Sequence, residues 1–171
     1  MPQLQDPNFH RSVVLMIEHT DEGALGIVLN HLTEFHCSDV SDSFDLEWPA
    51  GDSLMLRRGG PVEPQSLWML HDDGWSFEET MRIAPGVAVS RSREALTRLC
   101  EADEDRVRLM IGYAGWGPGQ LEQELAQGTW LTGELGAELI FEVEVEDAWS
   151  AAVRALGIEP AQLVEAGSTL Q

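Results

Sequence analysis

The stretch GYAGWGPGQLEQELAQGTWL, residues 112–131, decides the fold of this chain. The apolar residues that lead into it predict a central strand over residues 107–113. Its closely spaced glycines then predict a tight turn, because a residue without Cβ permits backbone angles and close approaches that other residues avoid. A short helix is predicted over residues 120–126. Pro118 fits a first helical turn, where no N–H is needed, and Gly128 fits the position after a helix that requires φ > 0.

Outward from this stretch, the chain consists mostly of short strands. Further strands are predicted at residues 12–18, 24–30, 54–57, 66–71, 76–83, 87–90, 129–135 and 138–144. The short link between the first two predicts an antiparallel hairpin. Helices are predicted at residues 92–102, with Ser90 or Ser92 as the N-cap, and after Asp147, whereas the acidic segment 33–52 is expected to be irregular apart from a helical turn at residues 39–44. Runs of strands with helices inserted late favour an α+β fold with a largely antiparallel or mixed sheet.

Length and composition bound the class of protein. With 171 residues, of which 43% are hydrophobic, the chain is predicted to form one globular domain. No apolar run is long enough to span a bilayer and no basic-then-apolar leader begins the chain, so we expect a soluble, cytoplasmic protein with no membrane partner. Cys37 and Cys100 lie far apart without CxxC spacing, which predicts reduced thiols rather than a disulfide or a zinc site.

The charge of the chain is its strongest compositional feature. Thirty acidic residues against ten basic ones give a net charge of −20, and all ten basic residues are arginine. A charge this negative repels phosphate backbones over long range, so direct nucleic-acid binding is not expected. The simplest interpretation is a solvated acidic surface on which a local arginine patch could still bind an anion.

The histidine and cysteine residues do not form a recognisable catalytic or metal-binding motif. The five histidines, His10, His19, His31, His36 and His71, lack the spacing of metal ligands, so neither a metal nor a cofactor is predicted. Cys37 as a nucleophile activated by His19 or His71 stays open, since folding could bring them together. Glu122 and Glu124 fall on different faces of their predicted helix and are not a carboxylate pair.

An ordered set of motifs resembles the AlgH (YqgE-like) family of bacterial proteins. The motifs are DPNFHRSVVLMIEH at residues 6–19, GALGIVLN at 23–30, GGPV at 59–62, LH at 70–71 and GYAGWGPGQLEQEL at 112–125. The resemblance implies an α+β fold whose bifurcated sheet is wrapped into a pseudo-barrel, with helices packed outside. It implies no defined reaction, although one branch carries a name from the transcriptional regulation of alginate synthesis. Relatives usually carry an additional apolar strand before MPQLQDPNF, so an open sheet edge is expected here unless the chain starts further upstream.

The best candidate for a binding site is the arginine pair beside GGPV. Arg57 and Arg58 could grip a carboxylate or phosphate, Gly59 and Gly60 would let a ligand approach the backbone, and Arg11 could join them. The alternative is a tight turn whose arginines pair with the surplus of carboxylates on the protein's own surface.

The GWGPG turn is a second candidate. A turn that leads into a helix could bind an anion at the helix N-terminus, but it has neither the GK[ST] of a phosphate-binding loop nor a dinucleotide-binding pattern. The alternative is a rigid turn that serves packing, with Tyr113 and Trp116 still able to line a pocket. His19 and Asn30 fall at strand ends, where they could belong to a site or shape turns.

These observations predict a non-catalytic regulatory or interaction protein that acts through a protein partner or a small anionic ligand. One alternative is a transcriptional regulator that contacts DNA, which the absence of a basic helix face disfavours. The other is an enzyme acting on a small anionic metabolite in a cleft formed by Arg57, Arg58, Trp116 and the His19 turn.

Overall fold

In a computed structural model, residues 9–49, 51–102, 105–134 and 136–163 are described, with the side chain of Asp52 left out. The strands are β1 (Val14–Thr20), β2 (Gly23–Val28), β3 (Leu32–His36), β4 (Met55–Arg58), β5 (Val62–His71), β6 (Met81–Ala84), β7 (Val87–Ser90) and β8 (Val107–Trp116). The helices are α1 (Cys37–Asp42), α2 (Arg93–Ala102), α3 (Gln120–Ala126), α4 (Glu138–Phe141) and α5 (Ala148–Ala155). Among the described residues, no helix is long and apolar enough to cross a membrane.

Strand β8 is the branch point of the sheet. One of its edges pairs antiparallel with β5, from His71 opposite Val107 to Val62 opposite Tyr113. Its other edge is shared, because β4 pairs parallel to its middle and β2 pairs antiparallel to its C-terminal end. The main path runs β1-β2-β8-β5-β7-β6, with β3 attached to β4. The predicted α+β fold with a bifurcated, largely antiparallel, barrel-like sheet is confirmed.

The sheet separates two apolar clusters. Neighbouring residues on a strand point to opposite faces, so Met69 and Leu109 enter one cluster while Leu70 and Met110 enter the other. Helix α2 covers the first cluster, and α4 and α5 cover the second. A third, smaller cluster of Ala114, Trp116 and Leu121 lies at the C-terminal end of β8, where the tryptophan-lined cavity described below is found.

The GGPV motif forms a close crossing of backbone over β8, which we call the packed crossing (Gly59, Gly60 and Gly112). The Gly59 N–H donates to the Ile111 carbonyl at 2.8 Å, and the Gly59 carbonyl accepts from Val28 at 2.8 Å. A Cβ on Gly59 would lie 2.3 Å from the Gly112 carbonyl oxygen, and one on Gly60 would lie 2.1 Å from the Tyr113 carbonyl carbon. These glycines are therefore required because another stretch of backbone occupies the space that a side chain would need.

Two strands predicted after α3 are wrong. Residues 129–134 form an irregular loop, with residue 135 outside the described ranges, and residues 138–144 contain helix α4 instead of a strand. Ile140 and Phe141 are adjacent in sequence and are buried in the same apolar cluster, which a helical turn allows, whereas neighbouring residues of a strand point to opposite faces. The alternation of apolar residues with glutamate in this segment imitates the period of a half-buried strand.

Other element boundaries also differ from the prediction. The segment 76–83 contains a strand only from Met81, because Phe77 and Thr80 close a turn: the Thr80 N–H donates to the Phe77 carbonyl. The segment 33–52, expected to be irregular apart from a helical turn at residues 39–44, contains most of β3, and its helix α1 overlaps the predicted turn but begins earlier, at Cys37. Most of the N-terminal segment 1–11, and any additional strand before it, lies outside the described residues.

The ends of α2 and α3 follow the predicted chemistry with one exception, whereas Asp147, predicted to cap the last main helix, precedes α5 without a side-chain capping bond. Ser92 caps α2, since its Oγ accepts from the Ala95 N–H at 3.1 Å, and Gly128 has φ +70° after α3. Pro118, however, precedes α3 instead of lying in its first turn. It occupies the second position of a β-turn closed by the Gln120 N–H on the Gly117 carbonyl, with Gly119 at φ +72° in the third.

Candidate functional site

A cavity of about 240 Å³ lies beside the C-terminal end of β8, and we call it the tryptophan pocket. Its walls come from four parts of the fold: β1, β8 with α3, the loop 129–134, and α5. Trp116, Trp130 and Trp149 line it together with Leu121 and Leu125, which lie one helical turn apart on the inner face of α3. Two walls of the pocket, Trp116 and the apolar face of α3, are therefore brought next to each other by the GWGPG turn.

Glu124 fixes two of the three tryptophans. Its Oε2 accepts from the indole N–H of Trp116 at 3.0 Å and of Trp130 at 2.7 Å, and its Oε1 accepts from the Gln120 amide at 2.9 Å. Burial alone raises the pKa of Glu124, but the hydrogen bonds from Trp130, Gln120 and Trp116 together outweigh burial and lower it. Both indole N–H groups are used by this carboxylate, so these two rings offer carbon surface to the pocket.

A polar pair lies at the edge of the tryptophan pocket. His19 at the end of β1 lines the cavity, and its Nε2 lies 2.6 Å from Glu122 Oε1 on α3. The side chains are 44% and 51% exposed, and the hydrogen bond from His19 lowers the pKa of Glu122. The pair links β1 to α3 at a position that solvent reaches.

A second, more open cavity of about 350 Å³ adjoins Trp149, and we call it the basic cleft. Its lining includes His10, Arg11, His31 and Glu146. The Arg11 guanidinium carbon lies 5.2 Å from the centroid of the Trp149 ring, in cation–π contact. Among the described residues, no carboxylate lies within ion-pair distance of Arg11.

Two side chains from the end of β2 hold the turn that carries Arg11. Asn30 accepts from the Val13 N–H at 2.8 Å and donates to the Arg11 carbonyl at 2.9 Å. His31 Nε2 lies 3.1 Å from Ser12 Oγ. Burial lowers the pKa of His31, a hydrogen bond to the His10 backbone opposes that effect, and the nearby Arg58 charge lowers the pKa further. The turn is therefore held from both sides, although Arg11 itself has φ +51°.

The structure divides the predicted site residues among separate places. His19 and Trp116 line the tryptophan pocket, Arg11 and Asn30 line the basic cleft, Gly59 and Gly60 lie in the packed crossing, and Tyr113 packs against Trp68 at 6.0 Å. The two cavities do not bring together the groups of the cleft predicted from Arg57, Arg58, Trp116 and the His19 turn: Trp116 and His19 line the tryptophan pocket, and neither arginine lines either cavity.

The arginine pair itself is separated by the pleat of β4. Arg57 is buried, donates from Nη1 to the Leu29 carbonyl at 2.8 Å, and has its pKa lowered to about 10, chiefly by burial. Arg58 is exposed. The alternative that arginines pair with the protein's own carboxylates does not describe either residue: within the described ranges, only Arg98 and Arg106 form ion pairs with carboxylates.

Cys37 and His71, which were considered as a nucleophile and its base, are both buried and inaccessible to solvent. Cys37 is fully buried, which raises the pKa of its thiol to about 12, so the thiolate nucleophile is not formed near neutral pH. His71 is also fully buried; its Nδ1 donates to the Asp72 carbonyl at 2.8 Å and its Nε2 lies 2.9 Å from Ser90 Oγ. In the part of the chain that the structure describes, no three His, Cys, Asp or Glu side chains form a group that could hold a metal ion.

Sequence reasoning missed three residues of the site: Glu124, Trp130 and Trp149. Trp149 lies at helical spacing from Val153 on the buried side of α5, but that spacing does not reveal that Trp149 borders two cavities. Trp130 lies in the loop wrongly predicted as a strand. The available signal for Glu124 was its position in α3, four residues after Gln120, between two tryptophans that each require a hydrogen-bond acceptor when buried.

Comparisons with known proteins agree with this fold over almost the whole chain. The sequence profile of the AlgH-like family matches residues 1–161. The chain is 42% identical to a UPF0301 protein of Myxococcus xanthus, covering 96% of this chain and 91% of that one. The solution structure of the AlgH protein from Pseudomonas aeruginosa is similar with a TM-score of 0.78 and 32% identity, over 95% of this chain and 88% of that one. A crystal structure from Corynebacterium diphtheriae, at 24% identity and a TM-score of 0.74 over 95% and 85%, shares the fold.

Proposed function

This chain belongs to the AlgH-like family, and we propose that it is a non-catalytic binding protein whose tryptophan pocket takes a small molecule with an apolar body. In this proposal the occupied pocket is a regulatory signal that a protein partner in the cytoplasm reads. The observation that carries the proposal is the cavity itself, in which the indoles of Trp116 and Trp130 are held in place by Glu124.

The size of the pocket limits the ligand. At roughly 30 Å³ for each water-sized group, 240 Å³ corresponds to about eight non-hydrogen atoms. A straight eight-carbon chain or a bicyclic ring therefore matches the available space. The apolar side chains around it favour carbon over polar atoms, as is typical of small-molecule sites.

The position of the pocket suits a regulatory role. Its walls come from β1, β8 with α3, the loop 129–134 and α5, so a bound ligand would hold together segments that are distant in sequence. Because a ligand stabilises the state that binds it, occupancy would favour the arrangement in which these walls are closed. A partner that recognises this arrangement would then bind the loaded protein preferentially.

Calorimetric titration with 1-octanol tests the proposal. We expect saturable binding to the wild-type protein, and we expect the Ala152→Leu variant to lose it, because Ala152 on α5 lines the pocket and a larger side chain would fill the space. Ala151→Leu is the matched control, since Ala151 lies on the same helix but does not line the pocket, and it should bind as the wild type does.

Two results would contradict the proposal. One is a wild-type protein that does not bind 1-octanol or another apolar molecule of similar size. The other is equal binding by the Ala152→Leu variant, which would place the ligand elsewhere. The rival hypothesis of a DNA-binding regulator predicts retardation of a labelled duplex at physiological salt; we expect none, because a net charge of −20 opposes it.

A further inference from the structure

We infer that the ligand of the tryptophan pocket is an anionic amphiphile, whose carboxylate or phosphate head binds in the basic cleft at Arg11. Its apolar body would occupy the tryptophan pocket, so this inference rests on the proposed function and adds the chemical class of the ligand. The head and the body are assigned from two different cavities, and each assignment can fail separately.

The two cavities are neighbours. Trp149 lines both of them, and the turn of residues 10–13 runs along both. His10 and Arg11 line the basic cleft, whereas the next residues, Ser12 and Val13, line the tryptophan pocket. One molecule that lies against Trp149 and this turn can therefore place a polar end in one cavity and an apolar end in the other.

The charges around the cleft favour an anion. Arg11 has no carboxylate partner among the described residues, and its guanidinium, held against Trp149, presents N–H groups that suit bidentate binding of a carboxylate or phosphate. His10 and His31 also line the cleft, and Arg58 is close enough to His31 to lower its pKa. The lowered pKa of His31 keeps its imidazole neutral near neutral pH, so among the residues that line the cleft Arg11 is the group that supplies positive charge to an anion.

Glu146 is the opposing charge, since it lines the same cleft. At physiological ionic strength the screening length is about 8 Å, so the groups that line the cleft affect a bound head more than distant acidic residues do. A bound anion would be attracted by Arg11 and repelled by Glu146. The two residues therefore provide variants with opposite expected effects on the same ligand.

The turn that carries Arg11 is already positioned for this contact. Asn30 holds the backbone on both sides of Ser12, through the Val13 N–H and the Arg11 carbonyl, and His31 contacts the Ser12 hydroxyl. Binding an anion therefore does not require this backbone to become ordered first, which lowers the entropic cost of binding.

A set of probes with the same eight-carbon body tests the head group. Octanoate and octyl phosphate carry an anion, 1-octanol is neutral, and octylamine is a cation at neutral pH. We expect at least one of the anions to bind more tightly than 1-octanol, and 1-octanol more tightly than octylamine. The order of octanoate and octyl phosphate then distinguishes a carboxylate ligand from a phosphate ligand, and either order supports the inference.

Three variants locate the head. Relative to the effect of each variant on 1-octanol, Arg11→Gln should weaken binding of the preferred anion about fivefold, and Glu146→Gln should tighten it about twofold. Arg82→Gln is the matched control, because Arg82 is an exposed arginine on β6, at the opposite end of the sheet path from β1, and lines neither cavity. It should bind all four probes as the wild type does.

The outcomes separate this inference from the proposed function. If 1-octanol binds but octylamine binds at least as tightly as both anions, or Arg11→Gln has no effect on anion binding, the head-group assignment is overturned while the apolar pocket stands. If none of the four probes binds the wild-type protein, the proposed function is overturned and the inference with it.

Discussion

The packed crossing and the tryptophan pocket lie along the same strand, β8, and use space in opposite ways. At the packed crossing, the Cβ position of Gly60 is already occupied by the backbone of Tyr113, 2.1 Å away. In the turn that leads from β8 to the pocket, a Cβ on Gly119 would meet nothing within 4 Å, and the glycine is required only for its φ of +72°. The difference shows that glycine-rich motifs which look alike in sequence can serve tight backbone packing in one place and lie beside open space in another.

The first test of this comparison replaces one glycine in each region. Gly60→Ala should lower the free energy of unfolding by about 4 kcal/mol, since its Cβ would collide with backbone that cannot move without breaking the pairing of β5 with β8. Gly119→Ala should cost only about 1 kcal/mol, for the left-handed conformation alone. Urea denaturation measures both, and equal losses would show that the crossing is not tightly packed.

The second test concerns the neighbouring arginines. Arg57→Ala should cost about 3 kcal/mol, because it removes a buried side chain and leaves the Leu29 carbonyl without its donor. Arg58→Ala should change stability by less than about 0.5 kcal/mol, because Arg58 is exposed. The midpoints of urea unfolding at constant m-value measure both losses of stability. A larger loss for Arg58→Ala than for Arg57→Ala would show that Arg58, not Arg57, lies on the buried face of β4.

The third test is on the pocket side. Glu124→Gln should lower stability by about 1 kcal/mol and weaken 1-octanol binding, since the carboxylate no longer holds both indoles. The matched variant Glu122→Gln, on the same helix but hydrogen-bonded to His19 at the exposed surface, should change neither quantity measurably. If both variants behave alike in calorimetry, Glu124 does not organise the pocket.

Glu124 also predicts a dependence on pH. Its pKa is lowered in the folded state, so its contribution to stability is complete above the unfolded value and is lost as pH falls through the lower, folded value. The stability difference between wild type and Glu124→Gln should therefore be present at neutral pH and shrink in acid. A stability difference that grows as pH falls would show that the pKa of Glu124 is not lowered in the folded state.

Much of the fold could be predicted from local chemistry. The strand over residues 107–113, the hairpin of β1 and β2, the helix after the glycine turn and the left-handed Gly128 each follow from a short pattern. The prediction of a strand at 138–144 was wrong because alternating apolar and acidic residues can also form a helical turn. The backbone that precedes this segment supplies the hydrogen-bond acceptor for that turn.

The candidate site was less predictable, for a physical reason. The period of two residues in a strand already places Arg57 and Arg58 on opposite faces, so their separation could have been found from the sequence. The pocket could not, because it depends on how Trp149 from α5 and Trp130 from a loop approach Trp116. Those distances are set by tertiary packing, and the three residues are 14 to 33 positions apart in the chain.

The most direct measurement uses the six tryptophans as internal probes, through their indole ¹H–¹⁵N signals during titration with 1-octanol. Trp116, Trp130 and Trp149 line the pocket, whereas Trp48, Trp68 and Trp75 do not. If 1-octanol binds in the tryptophan pocket, the first three signals shift together and saturate while the other three stay in place. Shifts confined to Trp48, Trp68 and Trp75, or no shift at any indole, would contradict binding in this pocket.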